Sequence, residues 1–400
     1  MTEVWSLAAL WLGLALVATL LAIWLRISTA LSEIVVGTVA QLFIGAFIGI
    51  QALGAKAPWI TFLSGTGAIV LTFLAGAELD PKVFRAKWRE ASGIGLLAFF
   101  APFLGCTALS YFLLGWTGKA AWLTGIALST TSVAVVYAVM LEFGLNQTEY
   151  GKTLLAACFI NDLGTVIALG LVFAPFSYRT VVFIGVSVVL FSALPWVTAR
   201  FFELYGGRVS ELEAKYLLWL LFASGALASW ADSEAVLPAY IIGMVLAGTV
   251  GKDHILIRRL RTLTFGLLTP FYFIRAGSFV SVSAVAAAPL VCLALLAGKM
   301  VTKSAVVLPA ARFFGYTRRE SLYTTMMMST GLTFGTISAL FGLAHGIIDQ
   351  VQYSYLVAAV IGSAVVPTII GNAYFLPRHL IPAPAEPEPG ESVVGAGATR

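Results

Sequence analysis

The chain has 400 residues, of which 60% are hydrophobic and only 11% are charged, and its formal net charge is +5. A soluble domain of this size would have too little polar surface to cover its core, so the composition excludes a soluble enzyme and predicts an all-α polytopic membrane protein. Its three cysteines lie inside apolar runs, which argues against a disulfide framework or a metal site, and no motif indicates a cofactor.

Long apolar segments follow one another along the whole chain, each close to the length that crosses a bilayer. The first, Val4 to Leu25, is too long for a signal-peptide core and lacks a basic start, so it is interpreted as a retained span. We predict about thirteen spans, at 4–26, 31–52, 59–79, 92–114, 118–142, 151–174, 178–202, 212–230, 234–250, 260–280, 285–312, 320–343 and 351–376.

The loops carry the orientation signal. When they are assigned alternately to the two sides, one side receives nearly all the loop Lys and Arg, and the other receives only Lys56, Lys119 and Arg179. The positive-inside rule then predicts an outside N-terminus and a cytoplasmic C-terminus in the cell (inner or plasma) membrane. The basic charge is therefore attributed to these loops and not to a nucleic-acid surface.

The composition changes after residue 376. Residues 377–400 are rich in Pro, Ala, Glu and Gly and are predicted to form a disordered cytoplasmic tail. We therefore expect 1–376 to form one membrane domain with no fused nucleotide-binding regulatory domain.

Two spans carry hydroxyls and glycines where a plain transmembrane helix would not. One contains Ser129, Thr130 and Thr131; the other contains Ser329, Thr330, Gly331 and Thr333. Their matching positions in the two halves of the chain predict two broken helices of an inverted-repeat transporter. The alternative is that the hydroxyls bond to their own helices and the glycines permit close packing.

Asn161 and Asp162 lie near the middle of the sixth span. Placing a charged, unpaired Asp at this depth costs about 2.5 kcal/mol or more of free energy. Asp162 is therefore expected to be paired with another group and to have a function. The favoured interpretation is an ion or proton site. The alternative is a buried Asp that only bonds to a neighbouring helix.

Once the basic residues assigned to the loops are set aside, three remain inside the membrane: Arg275, Lys299 and Lys303. The two lysines are four residues apart and share a helix face, so at least one should pair with a carboxylate or be neutral. A salt bridge from Asp162 to one of them is the simplest inference, with snorkelling to the cytoplasmic interface as the alternative.

The sequence around Asn161 and Asp162 resembles that of a known family. Phe159-Ile-Asn-Asp-Leu-Gly164 looks like the Asn-Asp helix of the monovalent cation:proton antiporter superfamily, in its Kef/Nap-like branch. The motifs Ser32–Gly37, Leu74–Pro81 and Pro270–Gly277 resemble further family motifs in the same order. The likeness extends from about residue 10 to 376.

The resemblance implies a transport core of about 92–174 and 285–376, which moves against a dimerisation scaffold of about 4–79 and 178–280 in a homodimer. It also implies that Asp162 binds the proton or the cation. Asn161, Ser129, Thr130 and Thr131 would lie beside the ion, and Lys303 would be the counter-charge in preference to Lys299. Arg275 departs from the family pattern. It could snorkel outward, line a vestibule or supply a second counter-charge.

The predicted function is exchange of Na⁺ or K⁺ for H⁺ by competition at Asp162, with alternating access and a role in pH homeostasis. A single titrating carboxylate favours electroneutral exchange. The alternatives are a sodium-coupled symporter of an organic anion, a channel, and a non-transporting membrane sensor with a structural Asp–Lys pair.

Overall fold

The computed structural model describes residues 2–25, 27–47, 53–77, 81–173, 177–207, 211–231, 233 and 235–381, and this part of the chain forms helices and no strands. Some predictions lie outside the described residues: the end of the second span (48–52), residues 78–80 of the Leu74–Pro81 motif, and the tail from 382 onward.

Each predicted span contains helix. The first half holds α1 (Thr2–Leu25), α2 (Thr29–Phe47), α3 (Pro58–Ala77), α4 (Pro81–Ala86), α5 (Trp88–Ala108), α6 (Gly118–Ser129), α7 (Val133–Glu142) and α8 (Glu149–Phe173). The second half holds α9 (Tyr178–Tyr205), α10 (Leu212–Trp230), α11 (Val236–Leu246), α12 (His254–Leu263), α13 (Thr269–Ser278), α14 (Val282–Ala287), α15 (Pro289–Phe313), α16 (Arg318–Ser329), α17 (Thr333–Ala344) and α18 (Gln350–Ile370).

Eight helical segments of the described chain are long and apolar enough to cross a membrane, and shorter apolar helices occur at Thr29–Ile44 and Val236–Leu246. Many of their large apolar side chains are exposed, Trp24 and Val189 among them. Such surfaces suit contact with lipid tails. The prediction of a multi-pass all-α membrane fold is therefore confirmed, while the count of thirteen crossings stays a prediction.

Two close helix pairs build one part of the molecule. A Cβ at Gly76 of α3 would overlap the Tyr240 carbonyl oxygen of α11, and one at Gly243 of α11 would overlap the Phe73 carbonyl oxygen. The α2–α13 pair repeats this arrangement through Gly37 and Gly277. Small residues at such crossings let the two helix backbones approach each other directly.

The second part of the molecule is built from α5–α8 and α15–α18. Its backbones also approach closely: a Cβ at Gly95 of α5 would lie 2.6 Å from the Ala157 carbonyl oxygen of α8, and Gly164 of α8 lies against the ring of Phe99. This part contains both broken helices and the Asn161-Asp162 pair.

Candidate functional site: a polar centre at two crossed broken helices

The two predicted helix breaks are present, and they cross. Thr130, directly after α6, and Thr330, directly after α16, both adopt extended backbone angles near φ −60° and ψ 150°. The amide of Ser132 donates to the carbonyl of Thr330 at 3.1 Å, and the Thr131 hydroxyl donates to the carbonyl of Met328 at 2.7 Å. The prediction of two crossed broken helices is confirmed.

This crossing places four helix ends at one point. The last carbonyls of α6 and α16 and the first amides of α7 and α17 lack partners within their own helices. Two partial negative charges and two partial positive charges therefore meet in the interior. Thr130, Thr131 and Ser132 are all essentially buried, so these partial charges are not screened by bulk water.

Asn161 joins α8 to this crossing. Its side-chain nitrogen donates to the Ser129 carbonyl, the last of α6, at 3.1 Å. Thr165, one turn later, donates from its hydroxyl to the Asn161 carbonyl at 3.1 Å and lies 3.5 Å from the Ser129 hydroxyl. The predicted neighbours Asn161 and Ser129 are thus in direct contact.

Asp162 is 1% exposed and Asn161 is fully buried. The Oδ1 atoms of both side chains are buried without a hydrogen-bond partner among the described residues. The carboxylate of Asp162 also interacts with the backbone N–H of Thr131, inside the break. Two oxygen acceptors therefore lie unpaired beside the crossing, and leaving such groups unpaired is costly.

Lys303 of α15 is fully buried and joins the two broken helices. Its ammonium donates to the carbonyl of Thr130 at 2.9 Å, the hydroxyl of Thr131 at 2.7 Å and the carbonyl of Met328 at 2.6 Å. An ammonium has three N–H donors, and each of them has an acceptor here. The positive charge of Lys303 thus lies at the C-terminal ends of both α6 and α16, where helix dipoles favour a cation.

The sequence predicted a direct salt bridge between Asp162 and a lysine. Among the described residues, Asp162 forms no such bridge. Lys303 and Lys299 are near enough to interact electrostatically with Asp162, but neither makes a hydrogen bond to its carboxylate. Lys303 instead donates to three acceptors at the two helix breaks, and the sequence did not predict these contacts. Its role as counter-charge at longer range stays a prediction.

Lys299 occupies a different environment one turn away. It is fully buried, and its ammonium donates to the Ser363 hydroxyl of α18 at 3.0 Å. Gly331, in the second break, packs directly against this ammonium: a Cβ there would overlap the Lys299 nitrogen and lie 2.9 Å from the Thr130 hydroxyl. The absence of a side chain at Gly331 lets the Lys299 ammonium and the Thr130 hydroxyl lie directly against the second break.

The hydroxyls of the second break point back to their own helix. Ser329 donates to the Thr325 carbonyl at 2.7 Å and Thr330 to the Met327 carbonyl at 2.8 Å, while Thr333 begins α17. Thr130 does the same in the first break, donating to the Ala127 carbonyl at 3.0 Å. These residues mark the helix breaks as predicted, and their oxygens keep free lone pairs.

Arg275 lies away from this centre, near the end of α13. Its Nε donates to the Ala55 carbonyl at 2.8 Å, and its guanidinium lies 5.1 Å from the centre of the Phe279 ring. These contacts tie α13 to the α2–α3 connection. The structure does not bring Arg275 to Asp162.

Sequence reasoning missed two residues. Glu33 of α2 is only 2% exposed, so Asp162 is not the sole buried carboxylate among the described residues. Its place at the third residue of a predicted span gave no sign that it would be buried. Tyr240 of α11 lies beside the site and donates from its hydroxyl to the Phe159 carbonyl at 2.9 Å, but a tyrosine in an apolar run carries no distinctive signal.

Comparisons with known proteins agree with this architecture. The chain is 24% identical over 335 residues to Probable Na⁺/H⁺ antiporter 3 of Methanocaldococcus jannaschii, covering 79% of this chain and 84% of that protein. It is 27% identical over 270 residues to Cation/H⁺ antiporter 17 of Arabidopsis thaliana, covering 60% of this chain but only 33% of that longer protein.

A solved structure shows the same fold. The sodium proton antiporter MjNhaP1 from Methanocaldococcus jannaschii at pH 8 matches with a TM-score of 0.72 at 15% identity, covering 93% of this chain and 96% of that chain. The model of the transmembrane sodium/hydrogen exchanger family matches residues 12–375. The chain therefore belongs to the sodium/hydrogen exchanger family.

Proposed function

We propose that this protein is a secondary active antiporter that exchanges a monovalent cation for protons by competition at Asp162. The observation that carries the proposal is the pair of unpaired, buried oxygens, Asn161 Oδ1 and Asp162 Oδ1, beside the crossed helix ends. Hard cations take oxygen ligands, and an ionised carboxylate deep in a membrane protein needs a counter-charge.

The carboxylate of Asp162 couples the movement of cations to that of protons. Once ionised, it is stabilised by a cation; once protonated, it is neutral and no longer attracts one. Because one group accepts either species but not both, each crossing carries either a cation or a proton. Exchange is then obligatory, and alternating access needs only the site to face each side in turn.

Further ligands would come from the first break. Thr130 and Ser129 contribute oxygens there, and Asn161 is held in place by its bond to the Ser129 carbonyl at 3.1 Å. Lys303, satisfied by the helix ends, remains a fixed positive charge throughout. Asp162 then carries one proton or one monovalent cation, which favours electroneutral one-for-one exchange.

The wider organisation follows from the same proposal. The part with the broken helices, about 92–174 and 285–376, is the moving core. The rest, about 4–79 and 178–280, is a scaffold that forms a homodimer. We further propose that the protein lies in the cell (inner or plasma) membrane with its N-terminus outside and its C-terminus cytoplasmic, and serves pH homeostasis.

Proteoliposomes test the proposal. A proton gradient should be dissipated by Na⁺ or K⁺ but not by choline, and clamping the potential with K⁺ and valinomycin should leave the Na⁺-driven rate unchanged if exchange is electroneutral. Asp162→Asn should abolish the response while the folded yield is kept, because the amide cannot ionise. A full response from Asp162→Asn would refute the proposal.

A further inference from the structure

Tyr240 contacts both elements that carry the site. Its hydroxyl donates to the carbonyl of Phe159, which precedes Asn161 by two residues in α8, at 2.9 Å. Its ring meets the ring of Phe334, at the start of α17, edge-on with centroids 5.5 Å apart and an interplanar angle of 88°. Tyr240 is fully buried, so both contacts are made in the interior.

Tyr240 itself belongs to the other part of the molecule. A Cβ at Gly76 would overlap the backbone carbonyl oxygen of Tyr240, so α11 is in direct backbone contact with α3 at this residue. Phe159 is fixed to the opposite part, because the neighbouring Ala157 carbonyl and Ile160 side chain pack on Gly95 of α5. The Tyr240 hydrogen bond therefore crosses the boundary between two closely packed groups of helices.

The same boundary carries a second group of hydrogen bonds at one end of α18. The Tyr353 hydroxyl donates to the Ala276 carbonyl of α13 at 2.7 Å, and the amide of Ser281 donates to the Ser354 hydroxyl at 2.7 Å. Tyr353 is fully buried, as Tyr240 is. Two buried tyrosine hydroxyls thus attach the core to scaffold helices, one beside the site and one at the α13 C-terminal end.

We propose that Tyr240 is a gating residue, which holds the core against the scaffold in the present state and releases it when the site turns to the opposite side. This rests on the proposed function, since it requires the core to move. A contact made in only one of two states biases their populations by its own free energy. One buried hydrogen bond of ordinary strength corresponds to a change of about two- to tenfold in the ratio of the states.

The variant Tyr240→Phe isolates this effect, because it keeps the ring against Phe334 and removes only the hydroxyl. The matched control is Tyr150→Phe, whose hydroxyl lies 2.9 Å from the Thr324 hydroxyl and 3.2 Å from the Glu320 carbonyl. Both of these contacts lie within the core, between α8 and α16. Its loss removes a similar hydrogen bond without touching the boundary.

Spin labels at two exposed positions would report the relative placement of the two parts. Leu204 near the end of α9 belongs to the scaffold, and Phe313 at the end of α15 belongs to the core. Double electron–electron resonance would be recorded on the full chain with its native cysteines replaced, in Na⁺ at high pH and without Na⁺ at low pH. Tyr240→Phe should change the ratio of the two distance populations about fivefold, and Tyr150→Phe should leave it unchanged.

Transport and binding measurements separate the gate from the site. Tyr240→Phe should change the maximal exchange rate while the number of protons released per bound cation stays as in the wild-type protein. Three results would overturn the proposal that Tyr240 is a gating residue. They are unchanged distance populations in Tyr240→Phe, an equal shift in both variants, and a single distance population in the wild-type protein under both conditions. An altered proton count in Tyr240→Phe would also overturn it, whereas a wild-type protein that releases no protons would instead contradict the proposed function.

Discussion

The contacts of Lys303 differ from the predicted ones more than those of any other candidate residue. Its spacing from Lys299 predicted a buried ammonium that needs a carboxylate, yet its three donors are taken by Thr130, Thr131 and Met328. Two helix C-termini together can partner a buried cation, because their carbonyls are unpaired within the helices and their dipoles favour positive charge. In the proposed mechanism, this arrangement leaves Asp162 free to bind a proton or a cation.

Removing the Lys303 ammonium should destabilise the fold. In Lys303→Met, three buried acceptors lose their donor, with an expected loss of about 3 kcal/mol in the free energy of unfolding. Lys299→Met removes one hydrogen bond, to Ser363, and should cost about 1 kcal/mol or less. Thermal unfolding in detergent measures both, and equal melting temperatures for the two variants would contradict this account of Lys303.

At the scale of elements, the breaks depend on small residues and local hydrogen bonds. Clustered hydroxyls and glycines predicted both breaks, because a helix interrupted inside a membrane must satisfy its freed backbone groups within the protein. The partners of those groups were not predictable. They come from α8 and α15, and only the tertiary arrangement brings Asn161 and Lys303 to the two helix ends.

Gly331 offers a direct test of the second break. In Gly331→Ala the new methyl group would overlap the Lys299 ammonium and crowd the Thr130 hydroxyl. The crowded atoms are the ends of side chains, so the methyl group should displace the Lys299 ammonium from Ser363, and the loss of one such hydrogen bond should lower the exchange rate by about two- to fivefold. The rate in proteoliposomes, normalised to folded protein, measures this.

The matched control is Gly185→Ala in α9, where a Cβ would meet nothing within 4 Å. It should exchange at the wild-type rate. A Gly331→Ala protein as active as Gly185→Ala would mean that the close approach at the second break is not needed for transport.

At the scale of the whole molecule, two halves of the chain meet at one polar centre. Ser129-Thr130 and Ser329-Thr330 end corresponding half-helices, and the α3–α11 and α2–α13 pairs repeat one glycine-mediated contact. The membrane fold and the central role of α8 were predictable, because apolar length and one costly carboxylate are strong signals. The burial of Glu33 and Tyr240 was not predictable, because it depends on which helices pack against α2 and α11.

The central claim is that one carboxylate binds either a proton or a cation. The most direct measurement is the number of protons released when Na⁺ or K⁺ is added to the purified protein in weakly buffered detergent solution. We predict about one proton released per cation bound by the wild-type protein and none by Asp162→Asn. Saturable cation binding by the wild-type protein without proton release, or unchanged release from Asp162→Asn, would contradict it.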